Sequence, residues 1–269
     1  MVNRERITEE FMNLVKIDSL SFQEREIADI LKKTLLELGF EVYEDEAGKY
    51  YNTSCGNIYG YLPGEPGFEP ILLSAHMDTV APGKGKRAIL HEDGTITSDG
   101  TTVLGADDLS GIVSILEAVR VIKEKRIAHC SIEVLFTIAE EVYIRGSDVF
   151  DYSRIKSKEA YVLDLTGPVG YAAIAAPTVL SFDAVIKGKA AHAGFAPELG
   201  INSIAIAAEV ISQITQGRLD DNTTLNIGLI EGGKARNIVS DECIFKGEVR
   251  SLSNAKAEAE IKNIKNGIN

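Results

Sequence analysis

Two adjacent glutamates, Glu140 and Glu141, stand where the apolar segment VLFTIA ends. An apolar run of this length is typical of a buried strand. Two like charges at its end lie close to low-dielectric surroundings, where unpaired negative charge costs free energy. We therefore expect a positively charged group beside these two carboxylates.

Other acidic residues and one histidine stand near the ends of neighbouring apolar segments. In SAHMDTV, His76 and Asp78 are two residues apart, so on an extended backbone both side chains point to the same face. Asp107 and Asp108 precede a helical pattern, and Asp164 ends the segment YVLD. An imidazole with several carboxylates is a ligand set that suits zinc, manganese or cobalt. The sequence therefore predicts a metal centre.

Paired acids at such a centre can divide the work between them. One coordinates the metal, and its neighbour takes a proton from a bound water. Similarly, of His76 and Asp78, one residue can bind the metal while the other orients that ligand.

Each of these residues also has a purely structural interpretation. Adjacent acids after a strand commonly form a solvated turn or begin a helix. Either Asp107 or Asp108 could cap the helix that follows, and Asp164 could be a loop residue. Four such placements at successive strand ends of one domain favour the metal centre.

The composition limits the classes of partner. The chain has 269 residues, of which 45% are hydrophobic and 25% charged, typical of a soluble protein of about two domains. Its net charge of -12 argues against a nucleic-acid-binding surface. Cys55, Cys130 and Cys243 are odd in number and form no CxxC motif, so neither a disulfide framework nor a zinc knuckle is indicated.

The N-terminus, MVNRERITEEFMNLVKI, has no apolar signal core, and no apolar run approaches the roughly 20 residues that span a bilayer. We predict a cytoplasmic protein without a membrane partner.

Strand and helix patterns alternate in the first part of the chain. Thr8 begins one amphipathic helical pattern, and Ser21 with Glu24 forms a capping box for a second. A longer helical pattern covers residues 110–123. Strand patterns cover 40–43, 57–61, 71–75, 130–136 and 160–163. This alternation predicts an α/β domain with a mostly parallel central sheet, whose ligands gather at the carboxyl ends of the strands.

The pattern changes near residues 171–178. Strand patterns over 180–187, 224–230 and 243–250 and helical patterns over 202–214 and from 255 onward form a split βαβ order without its last strand. We therefore predict a domain over residues 1–175 and a second, incomplete α+β ferredoxin-like domain over residues 176–269.

Six stretches carry a family resemblance: SAHMDTVAPGKG, TSDGTTVLGADDLSGI, FTIAEE, LDLTGPVG, GKAAHAGFAPELGINSIAIAAEVI and GKARNIVSDE. They run in family order from about residue 70 to about residue 250. With them the sequence resembles the M20 metallopeptidases, most closely the peptidase T (tripeptide aminopeptidase) branch and its peptidase-T-like relatives.

The resemblance implies a zinc-peptidase-like catalytic domain that holds two divalent metal ions, usually zinc, with manganese or cobalt as alternatives. His76 and Asp164 would bind one ion, Glu141 would bind the other, and Asp107 would bridge them.

Catalytic and substrate-binding roles are also implied. Glu140 would be the general base that activates the water, and Asp78 would steady the imidazole of His76. The second domain would be a lid and a homodimer interface, and His192 would reach a neighbouring subunit's site to stabilise the oxyanion. Asn237 and Arg250 would hold the substrate, Arg250 by its carboxylate.

The sequence departs from the family in two places. Glu141 is followed by Val142, Tyr143, Ile144 and Arg145 before a glycine, where relatives have a small residue and glycines. The family also takes a last metal-binding histidine from a C-terminal segment, and this sequence has no histidine after His192. On this basis we expect the chain to be a shortened form of a longer parent.

The resulting hypothesis is a metal-dependent aminopeptidase that hydrolyses short peptides, tripeptides above all. A first alternative is another M20 amidohydrolase, namely a dipeptidase, a carboxypeptidase or an N-acyl amino acid deacylase. A second alternative is a non-catalytic homologue that keeps the fold, because the C-terminal histidine is absent.

Overall fold

The apolar segments that precede the candidate ligands form neighbouring strands of one sheet in this computed structural model, which describes residues 1–268. The residues divide into two compact units, Met1–Val169 and a second that begins at Gly170. The elements of the first unit, in chain order, are α1 (Arg4–Val15), α2 (Arg25–Glu37), β1 (Glu41–Glu44), α3 (Ala47–Tyr51), β2 (Ile58–Leu62), β3 (Ile71–His76), β4 (Ala88–Leu90), β5 (Ile96–Ser98), α4 (Ala106–Lys125), β6 (Ile132–Thr137), α5 (Arg145–Asp148) and β7 (Glu159–Val162).

The main sheet has five strands in the order β1-β2-β6-β3-β7. β3 pairs in parallel with β6 on one side and with β7 on the other, whereas the β6–β2 and β2–β1 pairs are antiparallel. The predicted α/β fold is confirmed, with a sheet that is mixed. The candidate ligands follow the three parallel strands, β6, β3 and β7. The carboxyl ends of these strands therefore lie at one edge of the sheet.

Helix α4 is the longest in this unit and contacts β3. Its apolar residues at helical spacing, Ile112, Ile115, Leu116 and Val119, are buried in the core as the sequence predicts. Strand β6 is buried along its whole length, so it occupies the middle of the core rather than its surface. Burial on both faces explains the continuous apolar pattern of its last residues.

Two helix starts differ from the prediction. Helix α1 begins at Arg4, before Thr8, because the Asn3 side chain caps it by accepting the N–H of Arg6. The predicted capping box of Ser21 and Glu24 is wrong. Helix α2 begins after Glu24 without a side-chain cap, and both side chains bond elsewhere in the unit.

The second unit is an antiparallel sheet with helices. Its elements are β8 (Thr178–Lys187), α6 (Ser203–Gln213), β9 (Gly217–Asp220), β10 (Thr223–Gly232), β11 (Glu242–Ser251) and α7 (Asn254–Ile268). The strand order is β8-β11-β10-β9, so the sheet has four strands where the sequence predicts three. The additional strand, β9, is short and lies at the edge beside β10.

The core of the second unit contains Ala184, Ile186, Cys243 and Phe245 from the sheet and Ala207 from α6. Within residues 1–268, no helix combines the length and the apolar character that crossing a membrane requires.

Candidate metal centre

His76 is the residue around which the acidic side chains of the first unit gather. It is the last residue of β3, and its side chain is 2% exposed. Its Nε2 atom lies 2.9 Å from Oδ1 of Asp107 and 4.0 Å from Oδ2 of Asp164. Glu140 and Glu141 follow β6, and Asp164 follows β7, so the two parallel neighbours of β3 deliver their carboxylates to the same edge of the sheet.

Two sets of three ligand atoms have the spacing that a metal ion needs. The first set is His76, Glu140 and Asp164, and the second is His76, Asp107 and Glu141. Within each set the ligand atoms all lie within 4.8 Å of one another. Imidazole and carboxylate donors at this spacing fit a divalent ion of the zinc, manganese or cobalt type. The structure thus brings together all four predicted ligands and the predicted base.

The electrostatics of the cluster also fit a bound cation. Burial, together with the repulsion of neighbouring carboxylates, raises the pKa of Glu140, Glu141 and Asp164. Burial lowers the pKa of His76, but its bonds with Asp78 and Asp107 outweigh this effect and raise it to about 10. Four carboxylates around one imidazole leave an excess of negative charge, which a divalent ion would neutralise.

Asp78 lies beneath the cluster and is fully buried. Its Oδ1 accepts the backbone N–H of Glu140 at 2.9 Å, and its Oδ2 accepts that of Glu141 at 3.2 Å and the hydroxyl of Ser21 at 2.7 Å. Burial raises the pKa of Asp78, but the bonds from His76 and Ser21 outweigh it and lower the pKa.

The Nδ1 atom of His76 is 2.9 Å from the backbone carbonyl oxygen of Asp78 and 3.4 Å from its Oδ1. The carbonyl is therefore the closer acceptor. A proton on Nδ1 leaves Nε2 to bind a metal, which is the usual way in which an outer partner orients a histidine ligand. Asp78 thus orients His76 through its carbonyl and both glutamates through its carboxylate.

Asp107 and Asp108 have different environments although they are adjacent, and the peptide bond between them is cis. Asp107 is not helical (φ -83°, ψ 106°), and its 63% exposed side chain contacts His76. Asp108 is buried and accepts the N–H of His76 at 3.3 Å and of Gly111 at 3.1 Å. The capping interpretation therefore holds for Asp108, whereas Asp107 is available to a metal. Burial and the nearby carboxylate of Asp164 raise the pKa of Asp108 to about 7.

Sequence reasoning missed three side chains that hold this site from beneath. Ser21 donates to Asp78, Glu24 accepts the N–H of Ala139, and Asn57 accepts the N–H of Ile138. The spacing of Ser21 and Glu24 is a recognisable sequence pattern, but the same spacing is typical of a helix capping box.

The remaining predicted residues lie in the second unit. The Asn237 carbonyl accepts the N–H of Ala193, so the segments that contain His192 and Asn237 are neighbours. The exposed His192 accepts the N–H of Gly194 on Nδ1 at 3.1 Å. Arg250 lies on β11 and pairs with Glu248.

Two family models match the chain. The model described as Peptidase family M28 matches residues 57–198, and the M20 model described as Peptidase dimerisation domain matches residues 174–269. Among curated proteins, the uncharacterised protein YqjE of Bacillus subtilis is 43% identical over 265 residues, which are 98% of this chain and 71% of YqjE.

Two solved structures are similar over nearly the whole chain. The aminopeptidase PepT from Bacillus cereus has a TM-score of 0.88 and 45% identity, with 99% of this chain and 72% of that chain covered. A tripeptidase from Staphylococcus aureus has a TM-score of 0.93 and 37% identity, with 100% and 72% covered. The chain belongs to the M20 peptidases, in their peptidase T-like group.

Proposed function

We propose that this peptidase is a metal-dependent aminopeptidase that acts on short peptides, tripeptides above all. The observation that carries the proposal is the cluster of His76 with four carboxylates, whose ligand atoms form two compact sets of three around the imidazole. Because Nε2 of His76 can bind one ion only, the proposal of two ions per complete site rests on the family, with zinc the first candidate and manganese or cobalt the alternatives. The similar chains from Bacillus cereus and Staphylococcus aureus, an aminopeptidase and a tripeptidase, support the reaction and the substrate class.

The proposed ligands are His76, Asp107, Glu141 and Asp164. Metal ions held by these residues would supply Lewis acidity, which stabilises negative charge on the oxygen of the peptide carbonyl. Asp107 lies in one compact set with His76 and Glu141, and its side chain also contacts that of Asp164. This place between the two other carboxylate ligands supports Asp107 as the ligand that both ions would share.

Glu140 is the proposed general base. It takes a proton from the attacking water and then delivers it to the amine that leaves. Burial and neighbouring carboxylates raise the pKa of Glu140, which brings a carboxylate closer to the range that suits proton transfer near neutral pH. The N–H that Asp78 accepts fixes the backbone of Glu140, so the base needs no rearrangement of the main chain.

His192 is the proposed donor to the oxyanion, in the site of a second copy of the chain. Because its Nδ1 accepts the N–H of Gly194, the neutral ring carries its proton on Nε2 and can donate from there. Asn237, on the neighbouring segment, and Arg250 are the proposed substrate-binding residues. A homodimer through the second unit is part of the proposal, and the match to a dimerisation domain supports it.

A cytoplasmic location is also part of the proposal. Cys55, Cys130 and Cys243 are all free thiols, which suits a reducing compartment.

The test compares three substrates with the zinc-loaded chain: Ala-Ala-Ala, its N-acetylated form and its C-amidated form. An aminopeptidase loses activity only on N-acetylation, because it requires the free amine. Loss only on amidation would instead make the enzyme a carboxypeptidase. Turnover no higher than that of Glu140→Ala would contradict a catalytic function for this chain.

A further inference from the structure

Four consecutive backbone N–H groups, those of residues 138–141, bond to side chains from other parts of the first unit. Strand β6 ends at Thr137, so these N–H groups lie beyond the strand. The donors and their acceptors are Ile138 to Asn57 Oδ1 (3.0 Å), Ala139 to Glu24 Oε1 (2.9 Å), Glu140 to Asp78 Oδ1 (2.9 Å) and Glu141 to Asp78 Oδ2 (3.2 Å).

The carbonyl groups of the same segment are bonded as well. The loop folds back, and its N–H groups at 144–146 donate to the carbonyls of residues 138–140: Gly146 to Ile138 (3.0 Å), Arg145 to Ala139 (3.0 Å) and Ile144 to Glu140 (2.7 Å). Hydrogen bonds on both sides thus fix the backbone that carries the two glutamates.

Ala139 is the position in this segment where the backbone most needs support. Its φ is +50°, in the left-handed region that is unfavourable for a residue with a Cβ atom. Such conformations persist where the surroundings determine them, and they cluster at functional sites. The group that holds the N–H of Ala139 is the carboxylate of Glu24, which is 115 residues away in the sequence.

The Glu24 carboxylate is costly to keep where it lies. It is fully buried, and its Oε1 accepts two N–H groups, those of Phe22 at 2.8 Å and Ala139 at 2.9 Å. Its Oε2 finds no hydrogen-bond partner in residues 1–268. Helix α2 gains no side-chain cap from it. A buried carboxylate with an unpaired oxygen is expensive, so a role other than helix capping accounts for it better.

We propose that Glu24 is a positioning residue for the candidate metal centre, which fixes the backbone at Ala139 and thereby the places of Glu140 and Glu141. Ser21, three residues before Glu24, donates its hydroxyl to Asp78, which in turn accepts the N–H groups of both glutamates. Residues 21–24 thus fix the glutamates in two ways, through Ala139 and through Asp78. The inference rests on the proposed function, because turnover is one of its two readouts. The other readout, zinc affinity, does not depend on the reaction.

The test compares Glu24→Ala with Glu24→Gln and with a control, Glu133→Ala. The glutamine keeps an oxygen that can accept both N–H groups, and its amide nitrogen replaces an oxygen that makes no hydrogen bond. Glu133 is also a buried carboxylate, which accepts bonds from Tyr59, Lys156 and Ser157, but it lies near the other end of β6. Its loss should lower the free energy of unfolding without displacing Glu140 and Glu141.

Zinc affinity is measured on the full chain by competition with a chromophoric chelator, and kcat and KM are measured on Ala-Ala-Ala. For Glu24→Ala we expect zinc affinity and kcat each to fall about 10- to 100-fold, with little change in KM. We expect zinc affinity and kcat to remain close to the wild-type values in Glu24→Gln and in the folded fraction of Glu133→Ala. Should Glu24→Ala fail to fold, Glu24→Asp, which is one methylene too short to reach Ala139, replaces it.

Two results would overturn the inference: wild-type zinc affinity and kcat in Glu24→Ala, or equal losses in Glu24→Ala and Glu133→Ala. If the wild-type chain hydrolyses no peptide, the proposed function fails, while the comparison of zinc affinities still decides the role of Glu24.

Discussion

The Oδ1 atom of Asp78 accepts the backbone N–H of Glu140 at 2.9 Å, which links the segment after β3 to the segment after β6. The second oxygen of Asp78 accepts the N–H of Glu141 and the hydroxyl of Ser21. Both oxygens of this carboxylate accept hydrogen bonds and neither donates one. The side chain at position 78 therefore needs two acceptor atoms.

Replacing Asp78 by asparagine tests this requirement. An amide group would turn one N–H donor toward the N–H of Glu140 or of Glu141, and a bond to a charged acceptor would be lost. We expect Asp78→Asn to lower both zinc affinity and kcat by about 10- to 100-fold. Competition with a chromophoric chelator measures zinc affinity, and turnover of Ala-Ala-Ala measures kcat.

The control is Asp93→Asn, in the exposed turn between β4 and β5. There the backbone N–H of Thr95 donates to Oδ1 of Asp93 at 2.9 Å, and an amide oxygen can keep that bond. If Asp78→Asn retained as much zinc and activity as Asp93→Asn, the carboxylate would not be needed to hold the two glutamates.

The second prediction concerns the different roles proposed for Glu140, the general base, and Glu141, a metal ligand. A general base contributes about 10²- to 10⁴-fold to a rate, whereas a ligand holds the metal. We expect Glu140→Gln to keep its zinc and to lose kcat by about that factor, and Glu141→Gln to lose zinc. Both are measured on the same preparations by elemental analysis and by initial rates.

The geometry makes this experiment informative, because Glu140 itself forms a compact set with His76 and Asp164. Loss of zinc in Glu140→Gln together with retention in Glu141→Gln would exchange the two proposed roles.

The residues at the strand ends could be predicted because their signals are local. An apolar run that ends in a charged residue indicates a strand end, and strand–helix alternation indicates that His76, Glu140 and Asp164 meet at one edge. The support beneath them could not be predicted in this way. Ser21 and Glu24 bond to residues 57 and 115 positions away, while their own spacing matches a helix cap. Strand β9 was missed for another reason: GRLD is only four residues long and has one large apolar side chain, Leu219, which is too little hydrophobic pattern to indicate a strand.

A third prediction concerns acid stability and the ion pairs of Glu44. Its side chain pairs at 2.6 Å with both Arg25 and Lys32, and Arg25 also pairs with Asp29. Burial raises the pKa of Glu44, but the two cations outweigh it and lower the pKa from 4.5 to about 2. The folded-state pKa lies below the unfolded value, so the stabilisation is present above about pH 4.5 and is lost as the pH falls toward 2.

Urea unfolding at pH 7, 5 and 3 measures this effect in Glu44→Gln. We expect the variant to be about 1–2 kcal/mol less stable at pH 7, since its partners are partly exposed, and the difference to shrink between pH 5 and 3. Glu37→Gln, which removes an exposed pair 3.8 Å long, is the control and should change little at any pH. A difference that stays constant from pH 7 to pH 3 would contradict the assignment.

The last prediction concerns the loop in which this sequence departs from its family. Ile144 adopts φ 57° and ψ 35°, a left-handed conformation that is especially unfavourable for a β-branched residue, and its side chain is 51% exposed. Glycine removes the strain and gives up little buried apolar area, although it increases the entropy of the unfolded chain. We expect Ile144→Gly to raise the free energy of unfolding by about 0.5–1 kcal/mol.

Ile127 is 47% exposed and has no positive φ, so Ile127→Gly should instead be destabilising. Urea midpoints that fall equally in both variants would mean that the surroundings of Ile144 offset its strain.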